Sequence, residues 1–78
     1  MNIKEAGKFL KQAYEDKREL KIVFKDSEAE DEFYCYGTVE GVNPFTMWND
    51  KKKFYLQFNP RNIKKILDRS TKTTYTIR

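Results

Sequence analysis

Ile3, Ala6, Leu10, Ala13 and Tyr14 recur at three- and four-residue spacing, the period that places one apolar stripe along a helix. Asn2 stands where an N-cap is needed, and Glu5 three residues later completes a capping-box pattern. The pattern predicts a helix over 2–18 whose face Ile3/Ala6/Leu10/Tyr14 packs on the rest of the domain. Lys4, Lys8, Lys11, Glu15 and Lys17 occupy its other faces. Gly7 costs about 1 kcal/mol relative to Ala in a helix interior, which predicts a close packing contact there. A helix this short is not stable alone and must lie on something.

A change of period follows. Leu20, Ile22 and Phe24 alternate with Lys21, Val23 and Lys25, the signature of a strand with one buried face. Residues 33–42 predict a second strand, with Phe33, Cys35, Gly37 and Val39 on one face and Tyr34, Tyr36, Thr38 and Glu40 on the other. Gly37 and Gly41 inside that strand predict bends or bulges, which let a sheet curl. Asn43-Pro44 marks a turn, residues 45–48 a third strand, and Asn49-Asp50-Lys51-Lys52 a polar hairpin loop. Phe54, Leu56 and Phe58 alternate with Tyr55 and Gln57 in a fourth strand, which Asn59-Pro60 ends.

Residues 61–67 fit two readings. Ile63, Ile66 and Leu67 suit one helical turn, and a short turn leading into a strand at 65–68 suits them equally. Residues 73–77 are β-prone and close the sheet as a final strand. The expectation is an α+β fold in a single small domain over 1–78: helix 2–18 packed on a five-stranded antiparallel sheet spanning 20–77. That sheet is either strongly bent or a partly open small barrel.

Composition narrows the chemistry. The chain has one cysteine, Cys35, and no histidine, so disulfides are excluded. Zinc, which needs about four ligands, has too few, and no cofactor is expected. A lone Cys among alternating aromatics reads as a small buried hydrophobe in a reducing, cytoplasmic setting. No apolar run approaches the ~20 residues of a membrane span, and charged residues interrupt the N-terminus where a signal peptide would be apolar. Ser stands only at positions 27 and 70, so no Ser/His/Asp or Cys/His arrangement can be assembled, and an enzyme is not expected. Abundant Lys, Asn, Ile, Phe and Tyr suit an AT-rich genome such as those of many phages and low-GC bacteria.

Charge divides the chain in two. Residues 1–48 carry seven Lys/Arg and ten Asp/Glu, whereas 49–78 carry nine Lys/Arg against Asp50 and Asp68. Such a split implies a polarised surface and an electrostatically selected partner.

The segments Leu20–Phe24 and Tyr36-Gly37-Thr38-Val39-Glu40-Gly41-Val42, the aromatic strand Phe54–Phe58 and the run Asn62–Ile66 together resemble Sm-like and SH3-like small barrels. The YolD-like family is nearest in pattern. The resemblance covers roughly 3–67 and lies in spacing rather than identity. It implies a small-barrel fold. Where Sm proteins carry an Asp-containing nucleotide-binding loop this chain has Val42-Asn43-Pro44-Phe45, and it lacks the late His of the bacterial Hfq type. Uridine binding and ring assembly are therefore not carried over.

Three constellations remain. Asp26, Glu28, Glu30, Asp31 and Glu32 form an acidic run that reads as a solvated loop or as a docking patch for a basic partner. As a calcium loop it lacks the central Gly and part of the ligand spacing. Tyr34, Tyr36, Trp48 and Tyr55 fall out of phase with their strands' apolar faces. They read as core-edge residues, as a stacking platform for bases, or as a protein-binding patch. Lys51, Lys52, Lys53, Arg61, Lys64, Lys65, Arg69 and Lys72 read as solvated surface or as phosphate contacts, which need several cations on one face.

The expectation drawn from these is a small non-enzymatic nucleic-acid-binding protein. Trp48 and Tyr55 would stack on bases, and Lys51, Lys52, Lys53, Arg61, Lys64 and Lys65 would contact phosphates. The alternative is a regulatory, phage-encoded protein-binding module that docks a host protein through Asp26, Glu28, Glu30, Asp31 and Glu32. Homo-oligomerisation is compatible with either.

Overall fold

The computed structural model describes residues 1–25 and 33–78; the acidic run at 26–32 lies outside the described residues. Helix α1, Ile3–Asp16, begins as its sequence dictates. The Asn2 side chain accepts from the Glu5 amide at 2.8 Å, and the Glu5 carboxylate accepts from the Asn2 amide at 3.0 Å, so two end amides are satisfied reciprocally. The helix ends at Lys17, which takes a left-handed conformation (φ 54°) while the Arg18 amide closes back on the Ala13 carbonyl at 3.0 Å.

The buried stripe is narrower than the expected one. Ala6, Leu10 and Ala13 are buried, whereas Ile3 and Tyr14 are 41% and 42% exposed. Ile3 and Tyr14 lie at the margins of the buried stripe. Gly7 does not mark a tight contact either: a Cβ there would lie 3.9 Å from the Phe45 ring, at ordinary van der Waals distance.

Among the described residues six strands follow, not five: β1 Glu19–Phe24, β2 Phe33–Val42, β3 Phe45–Asn49, β4 Phe54–Phe58, β5 Ile63–Asp68 and β6 Thr73–Thr76. They form one open antiparallel sheet in the order β4-β3-β2-β1-β5-β6. The added strand, β5, occupies the ambiguous segment and pairs with β1 near the middle of the sheet. Both readings of 61–67 hold in part, because a short 3-10 turn at Pro60–Asn62 leads into the strand. A register shift between Val23 and Phe24 accommodates Lys64, so Ile63 and Ile66 both point inward despite an odd spacing. A second shift lies between Val39 and Gly41, the kind of irregularity that Gly41 predicts.

The inner face carries Leu20, Ile22, Phe24, Cys35, Val39, Met47, Ile63 and Ile66, which with Ala6, Leu10, Ala13 and Ile77 form one core. The curl is strong enough that Phe24 of β1 meets Phe58 of β4, three positions away in the sheet order, with ring centroids 5.3 Å apart. Cys35 is buried within this core, and burial pushes its thiol up to about 11. Among the described residues no helix is long and apolar enough to cross a membrane.

Candidate functional site

Alternation along the strands turns a second set of residues away from the core. Lys21 of β1 is directly opposite Tyr36 of β2 on one side and Leu67 of β5 on the other, and Val23 is opposite Tyr34 and Lys65. The Tyr34 and Tyr36 rings meet edge to face at 5.3 Å. Lys21 Nζ lies 4.8 Å from the centre of the Tyr34 ring and 5.3 Å from that of Tyr36. Two further cations converge on Tyr36: Lys51 Nζ at 4.2 Å and the Arg69 guanidinium carbon at 5.7 Å. All four distances fall within the roughly 6 Å over which a cation is attracted to an aromatic face.

Each cation arrives by a different route. Lys21 is placed by strand register alone. Lys51 belongs to the β3–β4 turn, which is docked on β2 by the Asp50 amide donating to the Tyr36 carbonyl at 2.7 Å. Gly37 permits this approach, because a Cβ at its position (φ 158°) would overlap the Trp48 carbonyl oxygen. The turn is shaped by Asn49, which is 1% exposed. Its side-chain oxygen accepts from the Lys51 and Lys52 amides at 3.1 and 3.0 Å, and its backbone carbonyl accepts from the Lys53 amide at 2.7 Å.

Arg69 follows β5 and is held by its amide donating to the Glu19 carbonyl at 3.1 Å. Beside it Asp68 is fully buried: one carboxylate oxygen accepts from the Ser70 amide at 3.0 Å, the other from Arg18 Nη1 at 2.8 Å. That hydrogen bond is the main cause raising the Arg18 guanidinium pKa above its ordinary value.

Trp48 and Tyr55 form a second aromatic pair, opposite one another in the β3–β4 register with centroids 4.8 Å apart. Trp48 Nε1 donates to Asp50 at 3.2 Å, and Tyr55 is 65% exposed. A cleft of about 180 Å³, lined by Glu19, Gly37, Thr38, Trp48, Asp50 and Arg69, has Trp48 of this pair and Arg69 of the Tyr36 cations in its wall. A smaller one of about 140 Å³, lined by Lys21, Val23, Lys65, Leu67 and Thr74, extends the outer face across β5.

The expected site residues divide between two places. Lys51, Lys65, Trp48 and Tyr55 lie on or beside this face. Lys52 is exposed on the same turn, and Lys53 Nζ lies 3.7 Å from Asp50. Arg61 sits elsewhere, in the 3-10 turn beyond the Phe24–Ile63 end of the β1–β5 pair, its amide capped by Asn59 at 3.0 Å. Lys64 occupies the register shift at that same end. The convergence of the 51–53 turn with the segment after β4 therefore runs through Arg69 and not through Arg61. Lys21 is absent from the expected set, although its alternation with Leu20 and Ile22 already placed it on the outer face. The docking residues Asp26, Glu28, Glu30, Asp31 and Glu32 lie outside the described residues. No family model, curated protein or solved structure matches the chain, so the resemblance to small barrels rests on the residue pattern alone.

Proposed function

We propose that this chain is a small non-enzymatic protein that binds single-stranded nucleic acid across the outer face of its sheet. The observation that carries the reading is the convergence of Lys21, Lys51 and Arg69 on the Tyr36 ring, with Tyr34 beside it. Three elements distant in sequence supply cations to one aromatic surface. Phosphates need clustered cations and bases need flat rings, and this face offers both within one small area. The exposed Tyr55, packed on Trp48 of the cleft wall, offers a further ring. The curl that brings Phe24 to Phe58 supports reading the fold as a small SH3/Sm-like barrel that presents one such face.

A fluorescence-anisotropy titration with a labelled single-stranded oligonucleotide at rising salt tests the proposal. If Lys21, Lys51, Lys65 and Arg69 each neutralise one phosphate, the slope of log K against log[salt] is roughly −3. Lys51→Ala/Arg69→Ala reduces that slope by about 1.4 and weakens different sequences alike. Tyr55→Ala costs about 1–3 kcal/mol of binding with the slope unchanged, because stacking is not a charge effect. Aromatics and Arg also dominate protein interfaces. A salt-insensitive affinity, or a biological effect lost in Asp31→Lys/Glu32→Lys and kept in Lys51→Ala/Arg69→Ala, replaces this reading with the protein-docking one.

A further inference from the structure

The two edges of the sheet are finished differently. Along β6 the terminal ammonium of Met1 donates to the Thr76 carbonyl at 2.9 Å and the Arg78 amide donates to the Met1 carbonyl at 3.0 Å, so chain lies against that edge. β4 is the other edge, and among the described residues no strand pairs with its outer side. Its sequence, Phe54-Tyr55-Leu56-Gln57-Phe58, carries no charge, Pro or Gly, and Phe54 and Tyr55 are 36% and 65% exposed. Uncharged, aromatic edge strands of this kind are templates for pairing with another strand.

We propose that β4 pairs antiparallel with β4 of a second copy of this chain, about a two-fold axis at Leu56, to make one continuous sheet. The strand is self-complementary in that arrangement, as a two-fold interface requires. Phe54 faces the other copy's Phe58, Leu56 faces its equivalent, and Tyr55 faces Gln57. Charge selects the same orientation. Antiparallel pairing puts the Lys51–Lys53 turns at opposite ends of the shared ladder, about 17 Å apart for five residues, which exceeds the ~8 Å Debye length at physiological salt. Parallel in-register pairing would stack the two turns together. The inference is independent of the nucleic-acid reading.

Sedimentation of the full chain without nucleic acid tests it first. The mass is expected to rise from 9.4 kDa towards twice that value as concentration increases. Oxidation of Leu56→Cys then identifies the contact. Directly opposed Cα atoms in an antiparallel pair lie about 4.5–5.5 Å apart, within the ~4.4–6.8 Å that a disulfide spans, so this variant forms a covalent dimer. Gln57→Cys faces Tyr55 and does not, and buried Cys35 stays out of the reaction. Phe54→Lys/Gln57→Lys, at two exposed positions, returns the species to 9.4 kDa; if that variant fails to fold, the cross-linking pair decides. A chain that stays monomeric at every concentration overturns the proposal. So does a dimer that Gln57→Cys locks as readily as Leu56→Cys, since the copies would then meet in a different register or through a different face.

Discussion

Asn49 and Asp68 sit at the roots of the two turns that flank Tyr36, and they shape those turns with groups of different charge. Both side chains are buried, and each accepts backbone amides from the residues that follow it. Asn49 is neutral, and its oxygen is satisfied within its own turn. Asp68 brings a carboxylate into the same kind of environment, and a buried charge must be paired. Its partner is Arg18, fifty positions away at the end of α1. The side-chain bonds of Asn49 are therefore self-contained within the turn carrying Lys51, whereas the turn carrying Arg69 is tied to the helix through Asp68. The two turns deliver cations to one ring, each docked on the sheet by a backbone bond, and the Asp68 turn adds an ion pair with the end of the helix.

The most disruptive way to test this difference is to remove the counterion. Arg18→Ala leaves the Asp68 carboxylate buried and uncompensated, the arrangement for which single-partner deletions are costly. The thermal midpoint should fall by more than in any other variant considered for these turns. Asp68→Asn keeps an acceptor for the Ser70 amide and removes the need for a counterion, making the second turn resemble the first. In that background Arg18→Ala should cost far less, so the double-mutant cycle is strongly non-additive. Equal costs in both backgrounds would mean that Arg18 contributes through packing and not through charge.

A smaller loss is expected on the self-contained side. Asn49→Ala removes the acceptor for the Lys51 and Lys52 amides, which lie near solvent and can turn to water. A destabilisation of about 1–2 kcal/mol by denaturant titration is the expected size. The local effect should be larger than the global one: the Lys51 and Lys52 amides lose protection from hydrogen exchange while Ser70 keeps its own. If all three amides change together, the turns are one unit and the comparison between them fails.

Much of this architecture is legible in the sequence, and what is hidden has identifiable causes. The Asn2/Glu5 cap and the alternation at Leu20–Phe24 are local patterns, and the structure realises both. Alternation alone puts Tyr34, Tyr36, Trp48 and Tyr55 off the apolar faces, and the register agrees. β5 was obscured because Lys64 at the register shift gives Ile63 and Ile66 a spacing of three, which mimics a helical turn. Asn49 reads as a loop residue because nothing local announces that a polar side chain will be buried. The grouping of Lys21, Lys51 and Arg69 depends on pairing β1 with both β2 and β5. That register is a property of the whole sheet, and no window of sequence contains it.

The smallest expected effect sharpens the comparison from the helix side. Gly7→Ala should stabilise the fold by about 0.5–1 kcal/mol, because Gly carries a conformational-entropy cost inside a helix and the added methyl meets the Phe45 ring at an ordinary 3.9 Å. A firmer helix holds Arg18 more steadily against Asp68, whereas Asn49 shapes its turn through amides of that turn. Under native conditions, exchange of the Ser70 amide should slow, while the Lys51 and Lys52 amides, which open with their own turn, keep their rates. An equal slowing at all three would place the openings of both turns in global unfolding, since a purely global opening registers added stability uniformly. Selective slowing at Ser70 would mean that the helix regulates the Arg69 side of the face and leaves the Lys51 side alone.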